Sequence, residues 1–161
     1  GGTGDEFGNS LLQTLYGYSI GGASNSNDGD VSGNHGNDDA WIIQIDFKGK
    51  LLSEHSYGGS NYEQVNWMVK SNVGNIIFGA VTGSNDGDVT GNHGGDDAWM
   101  VKINAFGKII WQKAIGGSND DEPTGAIQEM FANNRWGNEG CDVCDERYMT
   151  ANISIAEKLA G

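Results

Sequence analysis

Short apolar runs punctuate the chain at a regular interval, four to a unit. They are Leu11–Leu15, Tyr18–Ala23, Ala40–Ile45 and Leu51–Tyr57, then Val65–Lys70, Ile76–Val81, Ala98–Ile103 and Ile109–Ile115 at matching places. Each run has the length and composition of a strand, and turn residues separate the runs. Gly17 ahead of Tyr18, and the pair Gly74-Asn75, place a tight turn between the first and second strands of each unit. Lys48-Gly49-Lys50 and Phe106-Gly107-Lys108 do the same between the third and fourth.

The interval is a repeat. Gly1-Gly-Thr-Gly-Asp-Glu6, Gly58-Gly-Ser-Asn-Tyr-Glu63 and Gly116-Gly-Ser-Asn-Asp-Asp-Glu122 mark three unit starts, 57 and 58 residues apart. The chain thus reads as one repeat domain of ~2.8 units, namely 1–57, 58–115 and 116–161. Four antiparallel strands per unit predict an all-β fold of tandem blades, propeller-like, in which neighbouring units cover each other's apolar faces. Trp41 and Trp99 are expected in the core between units. The third unit departs from the pattern. A first strand is expected over Ala126–Phe131 and a third over Tyr148–Ile155, while Cys141-Asp-Val-Cys144 stands where a loop belongs. That pair reads as a local disulfide or two plain thiols, or as half of a zinc site that lacks its other half.

Composition then narrows the partners. With 27 Gly and 1 Pro in 161 residues, the chain favours many tight turns over a disordered linker. A formal charge of −13 argues against nucleic acid and anionic membrane surfaces and favours cations. No run is long enough for a transmembrane helix. The start at Gly1, without Met or a visible signal peptide, reads as a processed protein or an excised fragment.

The charge is concentrated in one duplicated stretch. Ser26–Trp41 returns as Ser84–Trp99 with fourteen of sixteen positions identical, joining the second strand to the third. Numbered from Asp28, oxygens fall at positions 1, 3 and 5 (Asp28, Asp30, Ser32), Gly33 at 6, Asn34 at 7 and Asp39 at 12. The second copy gives Asp86, Asp88, Thr90, Gly91, Asn92 and Asp97. This is the oxygen spacing of a twelve-residue calcium loop, with Asp in place of the bidentate Glu and strands in place of helices. Calcium held by those ten residues is one expectation. The other is that Asp and Asn bond their own backbone in Asx-turns while glycine supplies positive φ. His35 and His93 among hard oxygens make poor transition-metal ligands and are read as capping or packing residues.

The pattern Gly-Gly-Ser-x-x-Asp/Glu, a strand pair, Ser-Asn-Asp-Gly-Asp-Val-Ser-Gly-Asn-His-Gly-x-x-Asp-Ala-Trp, then Gly-Lys and a closing Gly-Gly-Ser resembles repeats in large secreted proteins of Bacteroidetes-type bacteria. Those proteins often carry a sorting domain for type IX secretion. The resemblance covers residues 1–125 and implies a secreted or cell-surface location and a propeller-like fold, but no uniform activity.

Three functions follow as expectations. The first is a non-enzymatic, calcium-stabilised binding or adhesion module for polysaccharide or protein, with Asn34, His35, Asn92 and His93 as contacts and avidity from repetition. The second is a structural protein that self-associates through open blade faces into a filament or ring. The third is a fragment of a larger secreted hydrolase using the pairs Asp38-Asp39 and Asp96-Asp97, although no nucleophile with its base is visible.

Overall fold

A computed structural model describes residues 1–71, 74–126 and 151–154. Eight strands form two four-stranded antiparallel sheets, each with its strands in chain order. The first sheet holds β1 (Glu6–Gln13), β2 (Gly17–Ser24), β3 (Asp39–Asp46) and β4 (Leu51–Tyr57). The second holds β5 (Glu63–Lys70), β6 (Ile76–Thr82), β7 (Asp97–Ile103) and β8 (Ile109–Ile115). No helix occurs among the described residues. The registers superimpose: Gly22 faces Trp41 in the first sheet as Ala80 faces Trp99 in the second. The fold is therefore all-β, with the repeat visible in the pairing.

Six of the eight apolar runs coincide with strands to within one residue. β1 and β5 start earlier than their apolar runs, at Glu6 and Glu63, because a buried or half-buried carboxylate opens each. The third unit's first strand also opens on an acid, the exposed Glu122, directly after the buried Asp121. β9 spans Glu122–Ala126, starting four residues before the expected strand, and the rest of the expected Ala126–Phe131 run lies outside the described residues. β10 (Ala151–Ser154) lies inside the expected third strand but pairs antiparallel with β9, the place that β2 takes on β1. Cys141 and Cys144 lie outside the described residues.

The sheets stack face to face with β5 lying against β1, β2 and β3. Alternation along the strands decides which side chains meet. The second sheet contributes Phe78, Trp99, Val101, Ile103, Val65 and Met68, and the first sheet answers with Ala40, Ile42 and Tyr57. The rings of Tyr57 and Phe78 are 5.6 Å apart, and Phe78 meets Trp99 edge-on at 5.9 Å. Gly21 faces β5 so closely that a Cβ there would stand 2.8 Å from the Met68 sulfur. The opposite face of the second sheet forms a smaller cluster of Trp67, Ile77 and Met100, on the side approached by β9.

Candidate functional site

The duplicated loops leave β2 and β6 and return as β3 and β7, and each is tied down twice. The first tie is to the Gly-Gly start of its own unit. Asp28 Oδ1 accepts the Thr3 N–H at 2.7 Å, and Asp86 Oδ1 accepts the Ser60 N–H at 2.7 Å. Ser26 and Ser84 hydroxyls accept the Gly4 and Asn61 N–H groups, both at 2.8 Å. Asp30 Oδ2 takes the Gly1 amino group at 3.0 Å, and Asp88 Oδ2 takes the Gly58 N–H at 3.4 Å. In return, the N–H groups of Asp30 and Asp88 donate to the carbonyls of Gly1 and Gly58.

The second tie reaches the next unit. The Asp38 carbonyl accepts the Glu63 N–H at 2.7 Å, and the Asp96 carbonyl accepts the Asp121 N–H at 2.6 Å. Each loop therefore bridges two successive Gly-Gly segments.

The interior of the loop is equally committed. Asn27 and Asn85 Oδ1 accept the N–H of Gly33 and Gly91, both at 3.0 Å. Those glycines hold φ of 74° and 84°, the left-handed region that the turn requires. Asn34 Nδ2 donates to the carbonyls of Ser24 and Asn37, as Asn92 does to those of Thr82 and Gly95. Ser32 turns outward to Glu54 at 2.6 Å, and Thr90 pairs with Gln112. Asp39 and Asp97 are fully buried, and each Oδ2 accepts both the backbone N–H and ring Nδ1 of the histidine four residues earlier. Val31 and Val89, at 2% and 0% exposure, anchor the loop middles in the core. The sequence signal for that anchor is a solitary Val in an otherwise polar run.

Each of the ten expected calcium ligands has a hydrogen-bond partner within the protein. Asp28 and Asp30 face the Gly-Gly segment, Ser32 faces β4, Asn34 faces the ends of its own loop and Asp39 faces His35. The second copy repeats these directions. Among the described residues, no group of three or more His, Cys, Asp or Glu side chains is placed to hold a metal. The arrangement has the form of the second expectation, side chains bonded to backbone, extended from one unit to the next.

Sequence reading missed the acid that closes the junction. Glu63 is fully buried; its Oε2 accepts the Gly59 N–H at 2.8 Å and its Oε1 the Thr82 hydroxyl at 2.6 Å. Glu6 makes the same bonds to Gly2 and Ser24, and Asp121 accepts the Gly117 N–H at 2.7 Å. Their signal was the acid five residues after the first glycine of each unit, used above only as a landmark. Glu63 Oε2 and Asp39 Oδ1 lie 2.3 and 3.1 Å from the point where a Cβ on Gly58 would stand, so two buried carboxylates face each other across that glycine. Asp39 Oδ1 has no hydrogen-bond partner, nor has its counterpart Asp97 Oδ1.

Burial pushes the Asp39 carboxyl above the ordinary carboxylate range, aided by Glu63 and opposed by His35. The hydrogen bond from Asp39 holds the His35 imidazolium above the ordinary histidine value. A histidine raised in the folded state contributes stability that is complete below its unfolded value, about 6.5, and is lost as pH rises through the folded value. The melting temperature is therefore expected to fall as pH rises from about 6.5 through the raised folded value, and His35→Gln should flatten that limb. Two-state melts across this range check it.

A second expectation concerns the unpartnered oxygen. In Asp39→Asn the amide oxygen keeps the His35 bonds while the amide NH₂ faces Glu63. The substitution removes the like-charge contact and satisfies the orphan position, so it should stabilise the protein by about 1 kcal/mol at pH near 8. Denaturant unfolding reads this directly, and a loss of stability would show that the two carboxylates are not in conflict.

Beside the first loop, a cleft of about 510 Å³ opens between the sheets. Ser32, His35, Glu54, His55, Asp88 and Lys108 line it, mixing donors, acceptors and both signs of charge. Tyr57 closes its floor, donating its hydroxyl to the Gly107 carbonyl at 2.7 Å, and burial drives its phenol far above the ordinary tyrosine value. Asn34 and Asn92 are occupied by backbone bonds, whereas the imidazoles of His35 and His93 are 39% and 50% exposed. No protein-family model and no characterised protein matches this chain.

Proposed function

We propose that the chain is a non-enzymatic binding repeat of propeller type, acting at a cell surface and taking a polyhydroxylated ligand such as a polysaccharide strand in the cleft between units. The observation that carries this reading is the cleft lining: an open surface in which Asp88 accepts, Lys108 donates and two imidazoles can do either, beside the Ser32–Glu54 hydrogen-bonded pair. Such a surface matches a chain of hydroxyls better than an apolar molecule. The loops serve as scaffold. Their carboxylates hold backbone N–H groups, so in this reading calcium is dispensable to them. The blade arrangement follows from four-stranded units that stack, and the cell-surface setting from the resemblance in the repeat motif.

Asp39 and Asp97 are fully buried at strand starts, which places them badly for hydrolysis of a substrate. A glycan array probed with the whole chain tests the proposal. Binding that falls about tenfold or more in His55→Ala and Lys108→Ala, about 1.4 kcal/mol each, supports it. Absence of any glycan binding, or binding indifferent to both substitutions, would overturn it.

A further inference from the structure

We propose that the outer face of the first sheet is a receiving face for another sheet of this same repeat. This concerns a different surface from the cleft and does not depend on it.

The two sheets carry large apolar residues at matching positions of the same face but differ in what covers it. In the second sheet, Ile76, Phe78, Trp99, Val101 and Ile103 are at most 4% exposed because the first sheet lies on them. Their counterparts in the first sheet are Tyr18, Ile20, Trp41, Ile43 and Ile45, paired across the same ladders. Among these only Trp41 is buried, at 9%, and the others are half-buried. Around them Leu11 and Phe47 are 66% and 57% exposed, and Phe47 meets Tyr18 edge-on at 5.7 Å. Among the described residues no second sheet packs on this face. A contiguous apolar surface of this kind marks an interaction site.

The observed junction states what fits. The covering sheet presents small residues, Gly21, Ala23 and Ala40, which let it approach closely. It also presents the bulge at Asn9 and Ser10: Asn9 Nδ2 donates to the Val65 carbonyl and Ser10 Oγ accepts the Met68 N–H, both at 3.0 Å. One step along, Asn66 at the β5 bulge donates to the Pro123 carbonyl at 3.3 Å, so the contact recurs with the repeat. Carried one step back, its targets are Gly8 and Leu11, at the edge of the open face. The occupant is therefore a four-stranded sheet with an Asn-Ser type bulge in its first strand and small residues in its second.

The test adds a further copy of residues 1–57 ahead of the full chain. If the face receives it, the melting temperature rises by roughly 5 °C or more. Nuclear Overhauser contacts then appear between Ile43 methyls and the added unit. Ile43→Lys abolishes both effects in the extended chain and leaves the unextended chain folded. An added unit that melts separately without such contacts would overturn the proposal. So would a closed dimer of the unextended chain formed through this face, since the occupant would then be a second copy in opposed orientation.

Discussion

Replacing Phe78 by alanine is expected to cost about 3–5 kcal/mol, the range for truncating a fully buried aromatic side chain. Phe78 is 0% exposed and stands between Tyr57 of the first sheet and Trp99 of its own. Its loss opens a cavity at the centre of the contact between units, where three aromatic rings leave little room for collapse. The counterpart Ile20 occupies the same ladder position in the first sheet but is half-buried. Ile20→Ala should therefore cost only about 1–2 kcal/mol, because part of its surface already meets water. Denaturant unfolding of both variants checks the pair. Equal losses would mean that the two faces are equally covered, contrary to the arrangement described.

The second large effect is expected at Glu63. Glu63→Ala removes the acceptor for the Gly59 N–H and the Thr82 hydroxyl, both buried, and leaves a cavity under the loop. Hydrogen bonds to a charged acceptor contribute about 1.5–3 kcal/mol each, while relief of repulsion with Asp39 offsets part of the loss. The expected net cost is about 3 kcal/mol. Glu6→Ala should cost less, since Glu6 is half-buried and water can replace it. Glu63→Gln retains an acceptor and turns a donor toward Asp39, so it should recover most of the loss. If Gln were as damaging as Ala, the carboxylate charge itself would be what the junction needs.

Much of this architecture was legible in the chain because the repeat states it twice. The period, the hairpin turns at Gly17, Gly49, Gly74 and Gly107, and the burial of Trp99 all follow from alternation and turn chemistry. The strand starts at Glu6, Glu63 and Glu122 were less legible, since a search for apolar runs passes over a strand that opens on a buried or polar acid. The loop was legible in place, and its self-bonding by Asp and Asn was one of two readings, while its distant backbone partners were not legible. Asp at alternate positions with glycine at the sixth serves an ion loop and a set of backbone caps alike, because both need short oxygen-bearing side chains and positive φ. What distinguishes them is where Thr3, Ser60 and Glu63 come to lie, and those residues are more than twenty positions away. Val31 and Val89 could have been found, as apolar residues alone in a polar run have few reasons to be there other than burial.

Backbone N–H donors tie each loop to two successive units, and we propose that this tie forms without an ion. Amide hydrogen exchange at Gly59, Ser60, Asn61 and Glu63, measured residue by residue in a chelating buffer, tests it most directly. Protection comparable to that of the neighbouring β5 amides, unchanged on adding millimolar calcium, is the predicted result. Rapid exchange in chelator that becomes slow only when calcium is added would contradict it.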